Sequence, residues 1–358
     1  MERMDTPIDG MISIDGSHGE GGGQIIRTSL SLSALTGKPV TVTNVRARRS
    51  KPGLQPQHLK AVEAAAALCD AALDGAFVGS TRFTFSPFVP VKSGSYHFDI
   101  GTAGAAPLVI QTVLMPLALA EGESRVTVTG GTHVPHAPSA QYLEHVYATM
   151  LGDHGLQASI ESPEAGFFPR GGGRITAQIQ PSWFTPINLT ERGRLKSIDV
   201  YVVTSQLPSH VAERGGAAAA KELRGFKKPD VHLLDLPSRG QGAAVVVVAE
   251  SEHVRAGFSA IGERGKPMER VAEEACRQFA AWYRSEAVCD EHLADQFVLP
   301  MALTTGESRW TTSQVTEHLR TVLWLVQQFL PVEVALEEKS DGSGEVKLTG
   351  ADRTRLRG

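Results

Sequence analysis

The stretch Asp15-Gly16-Ser17-His18-Gly19-Glu20-Gly21-Gly22-Gly23-Gln24-Ile25-Ile26-Arg27 decides how the rest of the chain is read. A short apolar strand, Met11–Ile14, leads into it, and an apolar helix, Gln24–Leu35, leads out. The glycines admit backbone conformations that a Cβ would forbid. N–H groups exposed at a helix start attract anions, phosphate above all. Glu20 stands inside this loop, where a bare carboxylate would repel phosphate. A divalent cation between carboxylate and phosphate oxygens reconciles the two. The loop does not end in Gly-Lys-Ser/Thr, so it is not the usual P-loop. Its spacing alone describes a tight strand-to-helix turn equally well.

Outward from this loop, the apolar periodicity predicts a repeated order of elements. The first unit has strands Met11–Ile14, Val40–Val45, a weak one near Ala76–Val78, and Arg82–Phe85, with helices Gln24–Leu35 and Pro56–Asp70. From Ser95 the order returns: strand Tyr96–Ile100, helix Gly104–Ala120, strand Arg125–Val128, helix Ser139–Leu151, strands Leu156–Ile160 and Arg174–Gln178. A further partial unit closes the chain, with helix Leu293–Leu303, strand Arg309–Thr312, helix Thr316–Leu330 and a hairpin over Val332–Glu337 and Gly344–Leu348. Between them the repeat is interrupted by strand Ile198–Val203, helix His210–Leu223, strand Ala243–Ala249 and helix Glu269–Tyr283. The expected fold is α/β (α+β): repeated βαβαββ-type units form a large domain, with a smaller inserted α/β domain. The expected boundaries are 1–186 and 288–350 for the large domain, 187–287 for the insertion, and a flexible tail over 351–358.

The 358 residues suffice for a large core and about two domains. No run is long and apolar enough to span a bilayer, and Met1-Glu2-Arg3-Met4-Asp5 carries no secretory pattern. Cys69, Cys276 and Cys289 show no Cys-x-x-Cys spacing, so buried free thiols and a cytoplasmic location are expected. A net charge of −4 argues against a protein that coats long nucleic acid. Contact with a few phosphates is compatible with it, because Arg46, Arg48, Arg49 and Lys51 form a local basic cluster.

Further segments join the loop in giving the chain a family likeness. Arg46-Ala47-Arg48-Arg49-Ser50-Lys51-Pro52-Gly53-Leu54-Gln55-Pro56-Gln57-His58-Leu59 follows it. Ile100-Gly101-Thr102-Ala103-Gly104, Gly130-Gly131-Thr132 and Phe168-Pro169-Arg170-Gly171-Gly172-Gly173 come next. Glu291-His292-Leu293-Ala294-Asp295-Gln296 and Thr316-Glu317-His318-Leu319-Arg320-Thr321 complete the series. In this order, and over nearly the whole chain, they resemble the RNA 3′-terminal phosphate cyclases. That family carries a small inserted domain at the place where the repeat breaks.

His318 falls in the first turn of an apolar helix, after possible caps Ser313 and Thr316. A helix N-terminus disfavours a protonated ring, so the imidazole stays neutral and nucleophilic. The resemblance makes it the nucleophile that attacks the α-phosphorus of ATP. It implies that Glu20 holds Mg²⁺ or Mn²⁺, and that Arg27, Arg46 and Arg49 bind phosphate, for which guanidinium forks are suited. Gln57 and Gln111 match polar positions near the site. Pro138 and His292 match the pair that sandwiches adenine, although the family usually has Tyr where His292 stands. Asp295 and Gln296 would orient His318 or contact the nucleotide. His133 and His136 are spaced i, i+3 without a third ligand, so zinc is not expected; His133 is a candidate for substrate contact.

The implied reaction converts the 3′-terminal phosphate of an RNA to a 2′,3′-cyclic phosphate through histidine–AMP and RNA–adenylate intermediates. The implied partners are 3′-phosphorylated RNA ends, with no membrane. The alternative is a non-catalytic cyclase-like scaffold in RNA or ribosome maturation. A scaffold would be expected to lose the nucleophile and the phosphate arginines. A second alternative is an enzyme of the same architecture acting on another phosphorylated substrate.

Overall fold

A computed structural model describes residues 10–351, which form four sheets of four strands each. The first is built from β1 (Ile12–Asp15), β2 (Val40–Thr43), β3 (Ala72–Asp74) and β4 (Phe83–Ser86), in the order β1-β2-β4-β3. β1 and β2 run parallel, and the other pairs are antiparallel. The second repeats this with β5 (Ser95–Asp99), β6 (Ser124–Gly130), β7 (Gln157–Glu164) and β8 (Gly173–Gln180), in the order β5-β6-β8-β7. The final unit, expected to be partial, is completed by a two-residue strand ahead of the insertion. That strand, β9 (Asn188–Leu189), pairs in parallel with β14 (Gly306–Thr312). With β15 (Glu333–Glu338) and β16 (Gly344–Gly350) they give β9-β14-β16-β15, the same order a third time.

The fourth sheet lies between β9 and β14 in the chain and follows another order. It contains β10 (Leu195–Ser205), β11 (Asp230–Asp235), β12 (Gly242–Ser251) and β13 (Arg255–Ile261), arranged β11-β10-β12-β13. Helices α6 (Ser209–Leu223) and α7 (Met268–Ser285) pack on it and on each other.

Helix α1 (Gly23–Thr36) is the centre of the core. It packs on α2 (Pro56–Cys69), α3 (Ala106–Ala118) and α10 (Glu317–Phe329). A helix surrounded on several sides needs slim side chains where its neighbours come close. Ser29, Ser31 and Ser33 alternate with buried Leu30 and Leu32 for that purpose. The Ser31 hydroxyl donates to the Thr112 carbonyl at 2.7 Å, which satisfies a buried polar group.

Three expectations need correction. The edge strand of the first sheet is Ala72–Asp74, not the region of Ala76–Val78. Gly75 and Gly79, at φ +68° and +88°, bracket a turn there and leave Phe77 and Val78 exposed. The helix expected over Leu293–Leu303 is broken into α8 (Leu293–Gln296) and α9 (Val298–Ala302). Pro300 has no N–H to give to the Gln296 carbonyl, so a continuous ladder is impossible. The helix expected over Ser139–Leu151 divides into α4 (Ala140–Tyr142), a π-turn at Leu143–Tyr147, and α5 (Ala148–Gly152). Of the expected tail, all but Ala351 lies outside the described residues.

Candidate active site

The glycine loop binds α10 through three consecutive residues, each meeting a position one turn nearer the start of that helix. The His18 ring stacks on Trp324, with centroids 3.8 Å apart and planes 16° apart. Gly19, at φ +55°, passes so close to Thr321 that a Cβ would collide with the hydroxyl. Glu20 then reaches His318: one carboxylate oxygen contacts its Nε2, and the other accepts from Arg49 Nη2. Two ends of the chain thus meet at one carboxylate.

His318 is the second residue of α10. The Thr316 hydroxyl caps the helix by accepting from Leu319 N at 3.1 Å. Burial holds the imidazole below its ordinary pKa, Glu20 pulls it upward, and Arg27, His292 and Arg49 reinforce the lowering. The ring is therefore biased towards the neutral form.

Arg27 lies deeper. Its Nη2 donates to Gln24 Oε1 at 2.7 Å, and Gln24 Nε2 donates to Asp295 Oδ2 at 3.0 Å. Gln24 therefore bridges a half-buried cation and a buried carboxyl. Burial brings Arg27 down to about 10, against the pull of Asp295 and Glu20. Burial pushes Asp295 up to about 7, with His292 and Arg27 opposing. His58, whose Nε2 lies against Gly23, is driven down to about 3 by burial and then by Arg27 and Arg46. It is a neutral wall of the site, and its Nδ1 accepts from Gln55 N at 3.1 Å.

A cavity of about 840 Å³ is lined by every residue singled out from the sequence as a site candidate except His133. Some of these side chains also hold the scaffold. Arg46, at φ +53°, donates from Nη1 to the carbonyls of Lys51 at 2.5 Å and Gly53 at 3.3 Å. Gln57 Oε1 accepts from Ala105 N at 2.9 Å and so caps the start of α3. Gln296 Oε1 is buried and has no hydrogen-bond partner among the described residues, and its residue lines the cavity. His133 does not line the cavity. It is fully buried, with Nδ1 2.8 Å from the Thr132 hydroxyl and Nε2 on Gln141 Oε1, and burial drives it down to about 4. Its expected substrate contact is thus replaced by a structural role, whereas His136 lines the cavity.

Sequence reading missed Asp290. This buried carboxylate accepts from Tyr142 OH at 3.0 Å, from His292 N at 2.9 Å, from Leu293 N at 2.8 Å and from Gly257 N at 3.1 Å. It fixes the segment carrying His292, and it ties β13 of the inserted sheet to the cavity wall. The signal available was an Asp shortly before a helix start, too common a pattern to single out. Tyr142, edge-on to His292 with centroids 6.4 Å apart, also lines the cavity, as do Ser259, Glu263 and Lys266 of the insertion. Among the described residues no three His, Cys, Asp or Glu side chains cluster as a metal centre. A cation at Glu20 would take its other ligands from phosphate and water, which suits Mg²⁺.

Comparison with known proteins finds relatives along nearly the whole chain. Residues 18–336 match the family described as RNA 3′-terminal phosphate cyclase. A protein of Methylococcus capsulatus named RNA 3′-terminal phosphate cyclase is 43% identical over 349 residues, covering 95% of this chain and 97% of its own. One of the same name from Pyrobaculum neutrophilum is 45% identical over 332 residues, covering 91% and 95%. The solved structure of the enolpyruvyl transferase NikO from Streptomyces tendae aligns with 98% of this chain and 50% of its own at 9% identity. Its TM-score of 0.38 is too low to support an argument. From the matches spanning nearly its whole length, the chain belongs to the RNA 3′-terminal phosphate cyclase family of enzymes.

Proposed function

We propose that this protein converts RNA 3′-terminal phosphates to 2′,3′-cyclic phosphates at the expense of ATP, with His318 as the nucleophile. The observation that carries the reading is the contact of Glu20 with His318 inside the cavity that Arg27, Arg46 and Arg49 also line. First, His318 Nε2 attacks the α-phosphorus of ATP; the N–P bond forms, the bond to the β-phosphate oxygen breaks, and pyrophosphate leaves. Attack needs a bare Nε2, so the reactive tautomer carries its proton on Nδ1, and the Nε2–Glu20 contact gives way to phosphorus. Next, an oxygen of the RNA 3′-phosphate attacks the same phosphorus and releases His318, leaving an RNA–adenylate anhydride. Finally, the neighbouring 2′-OH attacks the activated phosphate and AMP departs, which makes a ribose end obligatory.

The side chains position and neutralise charge. Arg49 and Arg27 line the part of the cavity proposed for the phosphates, and a guanidinium partly withdrawn from water acts more strongly than one in bulk water. Glu20 is the carboxylate placed to hold Mg²⁺ or Mn²⁺, whose charge would offset that of the phosphates. Pro138 and His292 form the walls proposed for adenine, with less stacking area at His292 than a phenol ring would give. Three buried free cysteines fit a reducing, cytoplasmic setting. The scaffold alternative is not favoured, because His318, Glu20 and the arginines are retained together.

The direct test is incubation with α-labelled ATP and Mn²⁺, followed by assay for acid-labile, base-stable label on the protein. His318→Ala should abolish it, and label persisting in that variant would remove His318 from the role. Oligoribonucleotides ending in 3′-phosphate should accept AMP and cyclise, whereas 3′-hydroxyl ends should not cyclise.

A further inference from the structure

The segment Phe168-Pro169-Arg170-Gly171-Gly172 is used by none of the chemistry above, yet it is built with care. Phe168 is 74% exposed, while its neighbour Phe167 is buried against His133. Two residues on from Phe168, Arg170 interlocks with Arg239, which comes from a loop of the fourth sheet. Arg170 lies across Gly240, where a Cβ would sit 3.1 Å from Arg170 Cδ. Arg239 lies across Gly172, where any Cβ would collide with it. Arg170 Nη1 also donates to the Arg239 carbonyl at 3.0 Å. Among the described residues neither guanidinium is paired with a carboxylate, whereas nearby Arg174 is bound to Glu164 at 2.6 Å. An exposed aromatic ring beside two free, mutually braced cations is a stacking surface next to two phosphate-binding groups.

The patch adjoins the cavity. Gly171, at φ +61°, lies so close to the Thr102–Ala103 backbone that a Cβ would be 2.6 Å from the Thr102 carbonyl. Two residues on, Ala105 N is held by Gln57, and both of these residues line the cavity. An RNA whose terminal phosphate sits in the cavity must lead its preceding nucleotides out over the surrounding surface.

We infer that Phe168, Arg170 and Arg239 form a docking patch for single-stranded RNA just upstream of the reacting 3′ end. This rests on the function proposed above. A base stacks on Phe168, and the two guanidiniums take backbone phosphates. Recognition of this kind is indifferent to sequence and responds to length, because every base offers a π-face.

The test compares wild type, Phe168→Ala and Arg170→Ala/Arg239→Ala in binding 5′-fluorescein RNAs with 3′-phosphate ends, by anisotropy. One RNA is a dinucleotide and the other is roughly ten nucleotides long. Self-adenylylation, which uses no RNA, serves as the folding control and should be unchanged in both variants. Wild type should bind the longer RNA more tightly. Each variant should lose that gain, by about ten-fold for Phe168→Ala. The double variant should lower the salt slope of log affinity by about 1.4, two single-strand contacts at about 0.7 each. Length dependence and salt slope unchanged in both variants would overturn the patch. Failure of wild type to cyclise any RNA would overturn the proposed function instead, and the anisotropy comparison would still decide the patch.

Discussion

At the scale of single residues, Asp295 and His58 respond to pH in opposite directions. Asp295 stands at about 7 in the fold, above its ordinary value, so the folded state holds a proton that the unfolded chain releases. The stability it contributes is present below about pH 4 and is lost as pH rises through about 7. His58, lowered to about 3, contributes stability that is present above about pH 6.5 and is lost as pH falls towards 3. Urea unfolding of Asp295→Asn at several pH values should show a shallower loss of stability between about pH 4 and 7 than wild type. An unchanged slope would show that Asp295 titrates normally. Gln24 is the next test. Gln24→Ala leaves half-buried Arg27 and buried Asp295 without their bridge, so a loss of about 1–3 kcal/mol is expected by the same measurement. The i, i+3 spacing of Gln24 and Arg27 is visible in the sequence, but their shared partner Asp295 is 271 positions beyond Gln24, and only the fold reveals it.

At the scale of elements, the loop and α10 form one device. Gly19→Ala introduces a side chain at positive φ, which costs about 1–2 kcal/mol, and also drives a Cβ into the Thr321 hydroxyl. The variant should lose most of its adenylylation rate, because Glu20 is displaced from His318. Adding Thr321→Ala removes the collision and leaves the strained backbone, so it should restore part of that rate. A double variant no better than the single one would show that the close approach is unimportant. Thr316→Ala should lower stability by about 1 kcal/mol through loss of the cap. These elements were largely legible from the chain: the glycine run, the capped apolar helix and the repeated order all appear in local patterns. What escaped was set by pairing at a distance. β9 is two residues long and is a strand only because β14 lies beside it. The edge strand β11 exposes Val231 and Leu233 and has too weak an apolar alternation to announce itself.

At the scale of the whole molecule, the fourth sheet supplies part of the cavity wall. Arg192 closes its base by donating to the carbonyls of Trp282 at 3.2 Å and Tyr283 at 2.9 Å. Asp290 joins its far side to Tyr142 and His292 through Gly257, where a Cβ would sit 2.6 Å from the Tyr142 ring. Asp290→Ala strands several buried donors and should lower stability by about 2–4 kcal/mol. Under conditions where the variant remains folded, its KM for ATP should rise more than its kcat falls; equal effects on both would count against a role in holding the nucleotide walls.

The threefold sheet order separates Glu20 from His318: the acid belongs to the loop of the first unit, and the imidazole to the helix that follows β14 in the last. Neither of these two units holds both members of that contact. The chemistry proposed for this cavity therefore draws on two units at once, and a fragment holding only one of them should not carry it out.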